Sequence, residues 1–373
     1  MPWDWSDAAA AALLSSHTAV SRVDVLHSGK PVYTLEVTDG NVNIDADRPV
    51  RRNLSCSLVD STGTLTRGDV DDLLNPYECE IAPHRGVRVV GVDELAPQGV
   101  FGLTGRDVQD SPDGLSIRLT GQDRAMGYQG PMVSALAIDG GTAVENAIAR
   151  LLAARNPGLS LLSLSTGFVT GPLVFAPDID VWAEAQKLAE SVGARLFHDR
   201  TGQCALALAG PGSDRPVTTY AEGGGLLLGL SRVEDSDTIK NVVVAETPDG
   251  AVRAVAEDDD PTSPTYARGR YGRRVASVVN QHFTSTAQAL QAATVRLAYE
   301  LGRSETVTFT AVPDPGRDVE EVVTVHRPRA GLEHRGVVIA TLDVPLSASE
   351  SMKVGCRQSR LAQDGRQVPA GDL

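Results

Sequence analysis

His326 and His334 sit among Glu320, Glu321 and Glu333, and these five residues are the nearest this chain comes to a set of metal ligands. Zinc sites place imidazoles and carboxylates at short helical or hairpin spacings, which this group lacks, so the expectation is a polar-faced hairpin without metal. The acidic run 257–260 has the charge to attract calcium but neither the alternating ligands nor the turn glycine of a calcium loop, and reads as solvated loop. Gly29-Lys30-Pro31 lacks the upstream glycine and the following Ser or Thr of a phosphate cradle. Gly223-Gly224-Gly225 leads into an apolar run instead of a helix, so it reads as a turn. No GxSxG or HExxH string occurs, and nothing singles out one carboxylate pair for glycoside cleavage. His17 and His198 have no evident partner and are expected to be structural. The expectation is a protein with no catalytic, cofactor-binding or metal-binding residues, and not an enzyme.

The remaining chemistry is equally spare. Cys56, Cys79, Cys204 and Cys356 are scattered without a CxxC spacing, and Cys56 and Cys204, in alternating apolar segments, read as buried thiols. Trp182 falls beside a helical apolar stripe and reads as core; Trp3 and Trp5 stand outside any expected core, either docking a neighbouring subunit or lying in a disordered arm. With aromatics at 4%, a sugar-binding platform is disfavoured. The 373 residues suit two or three domains that need no staples. Net charge is −14, from 48 acidic and 34 basic residues, which argues against specific nucleic-acid binding. The apolar run 8–14 follows acidic residues, unlike a signal peptide, and no run approaches membrane-spanning length, so no membrane anchor is expected.

These residues need elements to hold them. A short helix with Ser6 or Asp7 as its N-cap opens an N-terminal arm at 1–22. Residues 23–125 have period two and turn chemistry at Ser28-Gly29-Lys30, at Thr38-Asp39-Gly40 and at 111–114, with strands expected at 54–59, 78–82, 87–92, 100–108 and 115–119. This is the signature of a first small antiparallel β-barrel domain. Between 126 and 210 the period becomes helical. Thr142 and Glu145 are spaced as a capping box; a second helix should start at Asp178 or Asp180 and end at Gly193, ahead of a hairpin, giving an α/β domain. Residues 211–362 return to strands around an embedded helix at 286–302, opened by the Ser285–Gln288 box, and form a second β-barrel domain. The loop 257–272 should be exposed and mobile, residues 211–245 could return to complete the first barrel, and 363–373 form a loose tail. The fold class is β-rich α+β, with two barrels and an α/β domain between them.

In that order of elements the chain resembles the tail-hub (baseplate-hub or minor tail) proteins of tailed phages and contractile injection systems, especially those of phages infecting actinobacteria. The likeness rests on VDVLHSGKPVYTLEVTDGNVNID followed by RRNLSCSLVD; on GVFGLTGRDVQDSPDGLSIRLTGQDRA; on FAPDIDVWAEAQKLAESVGARLFHDRTGQCALA; on SRVEDSDTIKNVVVAE; and on VVIATLDVPLSASESMKVGCRQSRL. The resemblance implies a homotrimer in which six barrels form a pseudo-sixfold ring. Such a ring caps the tail tube, adapts its symmetry to a threefold spike, fibre or tip protein, and leaves an axial channel that a shared negative charge would keep from holding DNA. It implies a place at the virion tail tip or baseplate, after synthesis in the bacterial cytoplasm. The hub of a contractile bacteriocin or injection particle fits the same pattern. A tail-tip enzyme or adhesin acting on the host envelope is the alternative of a different class.

Overall fold

Backbone turns with left-handed residues set the N-terminal β-region. Strands β1 (Thr18–His27) and β2 (Lys30–Leu35) meet through the pair His27↔Lys30, with Ser28 at φ 51° and Gly29 at φ 74° between them. Two consecutive left-handed residues match the twist of a two-residue hairpin, which is why the Ser-Gly pair is there. The computed structural model describes residues 3–358 apart from 61–64, 66–71, 113, 159–160, 164, 211–214, 225 and 238; the tail expected at 363–373 lies outside the described residues.

The region continues with β3 (Val37–Asp45), β4 (Arg52–Asp60), β5 (Cys79–Val89), β6 (Val92–Pro97), β7 (Phe101–Ser111) and β8 (Gly114–Asp123). Strands expected separately at 78–82 and 87–92 are one strand for most of their length. Pro83 does not interrupt it: β5 pairs β7 at Glu80 and Ile81 and β6 from His84 onward, so Pro83 falls in the gap where no N–H is needed.

The middle region holds β9 (Leu136–Ile138), α2 (Val144–Arg155), β10 (Leu161–Ser163), β11 (Leu173–Phe175), α3 (Val181–Glu190), β12 (Ala194–His198) and β13 (Cys204–Leu208). Asp180 caps α3, accepting from the Ala183 N–H at 2.8 Å, and the stripe Val181, Ala185, Leu188 and Val192 is fully buried. The Thr142 box does not form. The N-cap is Ala143, Thr142 donates to the Asp139 carbonyl, and Glu145 accepts from Thr166. The Val144 N–H is taken by the Phe168 carbonyl at 3.1 Å, so a tertiary partner replaces the side-chain cap.

The last region contains β14 (Thr219–Ala221), β15 (Leu227–Glu234), β16 (Val242–Glu246), β17 (Arg253–Glu257), β18 (Val275–Val279), α4 (Thr286–Gly302), β19 (Glu305–Ala311), β20 (Val322–Arg327), β21 (Leu332–Pro345) and β22 (Met352–Gln358). Ser285 caps α4 as expected, while Gln288 returns its bond to the Thr284 N–H instead of Ser285. The loop at 257–272 is exposed at 259–262, 264 and 268–270, as expected, and is anchored from within. Asp258 is 4% exposed and accepts from Ser263 and Thr265, and Ala267 is buried beside it.

β-structure dominates, but among the described residues the strands close into no barrel. A 14-stranded sheet runs β15-β19-β22-β21-β3-β4-β8-β7-β5-β1-β2, with β6, β14 and β20 branching from it. The N- and C-terminal β-regions are joined by β21 pairing with β3, Leu342 opposite Ile44, and one hydrophobic cluster runs through both. Strands β14 and β15 pair with β20 and β19, so among the described residues of 211–245 no strand pairs with the N-terminal region. The segment 231–246, one of the strings that carry the resemblance, divides: Ser231–Glu234 belongs to the large sheet, while β16 starts a separate sheet, β17-β16-β18, that α4 covers.

The N-terminal arm lies on its own chain. Helix α1 (Asp7–Leu13), capped by Ser6, buries Ala9 and Leu13 against Val87, and Ser6 bonds Glu94 through both its N–H and its hydroxyl. Trp3 donates its N–H to the Gly316 carbonyl and meets Trp5 edge-on.

Candidate assembly interface

Cross-strand registry shows what the large sheet presents. In an antiparallel pair, residues directly opposite point to the same face. Phe309, Val354, Leu342 and Ile44 form one such row over four strands, each no more than 1% exposed. One residue along, Thr310, Lys353, Asp343, Asn43, Asn53 and Gln122 form a row across β19, β22, β21, β3, β4 and β8 on the opposite face. All six are at least partly exposed. Its two charges stand opposite each other, so the row is neutral and otherwise hydroxyl and amide. A second row, Asn41, Ser55 and Thr120, has the same chemistry.

Strands β15, β19, β22, β21, β3, β4, β8 and β7 therefore form an eight-stranded span with an apolar face inside and a polar face outside. Both ends of this span are open among the described residues. Among the described residues, β15 has a strand partner on one side only, and β7 pairs β5 over just Phe101 and Gly102. Val108 on β7 is 39% exposed, and Leu228 and Val233 on β15 are each 56% exposed. Open edges with apolar side chains are the features that attract another strand.

A buried ion cluster fixes the span to the rest of the molecule. Arg52, on β4 and 1% exposed, donates from Nη2 to both carboxylate oxygens of Asp318 at 2.6 and 2.7 Å, and from Nη1 to the Gln98 carbonyl. Arg200, in the β12–β13 turn, bonds the Gly316 and Arg317 carbonyls and places Nε 3.6 Å from Asp318. Burial by itself would raise the Asp318 pKa; Arg52 and Arg200 outweigh it and hold the carboxyl well below the ordinary range. Glu321 next to this cluster is pushed up to about 7 by burial, which Arg317 only partly offsets. Three sequence-distant segments thus meet at one carboxylate, a convergence invisible in the sequence because Arg52 and Asp318 are 266 positions apart.

The residues singled out for chemistry are dispersed. His326 and His334 face each other across the β20–β21 hairpin, ring centroids 4.0 Å apart and nearly parallel, and the His334 N–H donates to His326 Nδ1. Glu320 lies instead on Arg51 and Arg195, and Glu321 on Arg317. Among the described residues no group of three or more His, Cys, Asp or Glu is arranged to hold a metal. Glu257 pairs with Arg268 and Arg273. His198 is 1% exposed between Trp182 and Tyr128, and burial pushes its pKa down to about 4, so it is neutral at pH 7. Trp182 is core, its Nε1 donating to the Pro49 carbonyl. All four cysteines are free and buried, with burial raising Cys56 and Cys204 to about 12. No helix among the described residues is long and apolar enough to cross a membrane.

No protein-family model and no curated protein matches the chain. Solved structures do. A tail protein from Neisseria meningitidis superposes with a TM-score of 0.63 at 16% identity, over 91% of this chain and 97% of that one. A 43 kDa prophage tail protein from Shewanella oneidensis gives 0.62 at 13% identity, over 92% and 99%. An Escherichia coli protein, described as a type VI secretion component structurally similar to bacteriophage T4 tail proteins, gives 0.55 at 10% identity, over 90% and 77%. The chain has the fold of these tail proteins, and the resemblance read from its sequence holds at the level of the fold.

Proposed function

Starting from a chain with the fold of phage tail proteins, we propose that it is a structural hub: three copies form a ring that caps the tail tube and adapts its sixfold symmetry to a threefold tip. The eight-stranded span carries this reading. It has open edges at both ends, β7 and β15, and one subunit's β7 beside the next subunit's β15 makes a head-to-tail contact that a threefold rotation closes into a ring. The two β-regions of each subunit, joined at β3–β21 in one open sheet, supply the two positions per copy that give such a ring its pseudo-sixfold character, with the α/β parts outside it.

The polar rows then line the axial channel. Hydroxyl and amide groups hydrate well, and the one lysine in the longer row stands opposite Asp343, so DNA meets no basic track on which to lodge. The partners are the tube protein on one side and a spike, fibre or tip protein on the other. The place is the tail tip or baseplate of a phage or phage-like particle, assembled in the bacterial cytoplasm. A contractile bacteriocin or injection particle would use the hub in the same way.

Light scattering and negative-stain imaging of the purified protein test the reading. A ring-shaped trimer supports it; a monomer at micromolar concentration, or one that cleaves peptidoglycan, counts against it. Val108→Lys and Val233→Lys place charges on the two open edges at exposed positions, and each should abolish the ring while leaving the thermal unfolding transition in place.

A further inference from the structure

Between β12, α4 and the start of the 46–51 connection lies an open cavity of about 480 Å³ whose wall is rich in arginine although the chain as a whole is acidic. Tyr299 lines it, with arginines around its ring. The guanidinium carbons of Arg357, Arg296, Arg195 and Arg303 stand 4.8, 5.0, 5.6 and 5.7 Å from the ring centroid. The wall carries acids too: Glu190 lines the cavity, and Glu320 pairs with Arg195 Nη1 at 3.2 Å. Asp47 accepts from the Tyr299 hydroxyl at 2.8 Å and also faces both Arg195 and Arg357 at 3.5 Å; Glu300 faces both Arg296 and Arg303. Arg357 is 8% exposed, and its Nη1, for all its nearness to Asp47, makes no hydrogen bond among the described residues. A buried guanidinium donor left without an acceptor is costly unless something supplies one. The floor is apolar, with Leu196, Val278, Ala292, Val295 and Val338.

We infer that this cavity is a receptor for an acidic peptide segment of a partner protein, a Glu or Asp carboxylate reaching Arg357 and Arg195 while its apolar neighbours cover the floor. A lone anion would fill only a small part of the space and leave the apolar floor uncovered. A nucleic-acid strand would need a continuous basic track, whereas these arginines surround a single ring. The inference goes beyond the hub reading and does not depend on it, since the arginines and the cavity belong to one subunit.

Isothermal titration with a short acetylated and amidated peptide carrying glutamates between small apolar residues tests it, with the glutamine twin, free glutamate and inorganic phosphate as comparison probes. The glutamate peptide should bind at least about tenfold more tightly than the glutamine twin, with an affinity that falls as salt is raised. Arg357→Gln should lose that preference. Because removing a buried arginine can impair folding, the double variant Arg48→Gln with Arg296→Gln, at two exposed wall positions, serves as the second test and should weaken binding several-fold. Equal binding of the two peptides, no binding of either, or binding of phosphate or free glutamate without the peptide would overturn the inference. Trimer formation that persists when peptide binding fails would leave the hub reading standing.

Discussion

The two β-rich regions reach the same sheet by different routes. The N-terminal one, from β1 to β8, is contiguous in sequence and builds much of its pairing from neighbouring hairpins. The C-terminal one is interrupted: between β15 and β19 the chain leaves the sheet, forms β16, β17, β18 and α4 with a core of their own, and returns. What the difference teaches is that contiguity is not what makes a unit here. Strand pairing at β3–β21, a shared hydrophobic cluster and the carboxylate of Asp318 bind the contiguous region and the interrupted one into one body. The departing segment docks elsewhere. Asn280 bonds the Lys187 carbonyl, and Gln288 bonds the Ser191 hydroxyl, so α4 stands on the end of α3.

The sharpest way to break this comparison is to remove the shared carboxylate. Asp318→Ala leaves Arg52 buried without its counter-charge and should cost about 3–5 kcal/mol in a chemical denaturation measurement, far more than loss of a surface pair. Next in size, Ile117→Ala in the contiguous region and Phe309→Ala in the interrupted one should each cost about 2–5 kcal/mol. If the two regions share one core, calorimetry will show a single transition moved by either change; two transitions, each responding to one substitution, would show separate domains.

A smaller effect comes from pH. The folded-state pKa of Glu321 is raised to about 7, above its ordinary 4.5, so between those values the folded protein holds a proton the unfolded chain has released. Stability on this account falls as pH rises from 4.5 to 7, and Glu321→Gln should remove that decline, a gain of about 3 kcal/mol above pH 7. Asp318, with its pKa depressed, has the opposite sense: its contribution is full above the ordinary Asp value and is lost on acidification below it. Urea midpoints across that pH range, compared between wild type and variant, check the sign. The smallest difference concerns the caps. Ser285→Ala should cost about 1 kcal/mol because its side chain caps α4, while Thr142→Ala should cost less because α2 begins without a side-chain cap. Equal losses would mean that the Thr142 box forms in solution.

Local rules made a good part of this molecule legible. The cap at Ser285, the choice of Ser6 or Asp7 and of Asp178 or Asp180 for two others, and the turn at Ser28-Gly29 are encoded within a few residues, so reading the chain found them, and the structure selects Ser6 and Asp180. The ordered loop at 257–272 was not legible, because Asp258 is held by hydroxyls of the same loop only when the loop is folded. The arginines around Tyr299 were not legible either, since Arg195, Arg296, Arg303 and Arg357 are brought together only by packing α4 beside β12 and β22.

By itself the sequence determined the β-rich character, the periods that separate strand from helix, the scarcity of catalytic motifs and the order of elements that resembles tail hubs. Tertiary structure decided which strands are neighbours: it joined the two β-regions into one sheet, laid the polar row along one face, and gathered Arg52, Arg200 and Asp318 at one point. The physical reason is range. Periodicity, capping and turn chemistry act over a few residues, whereas strand registry and buried charge pairing depend on partners hundreds of positions away, which only the folded chain brings within contact.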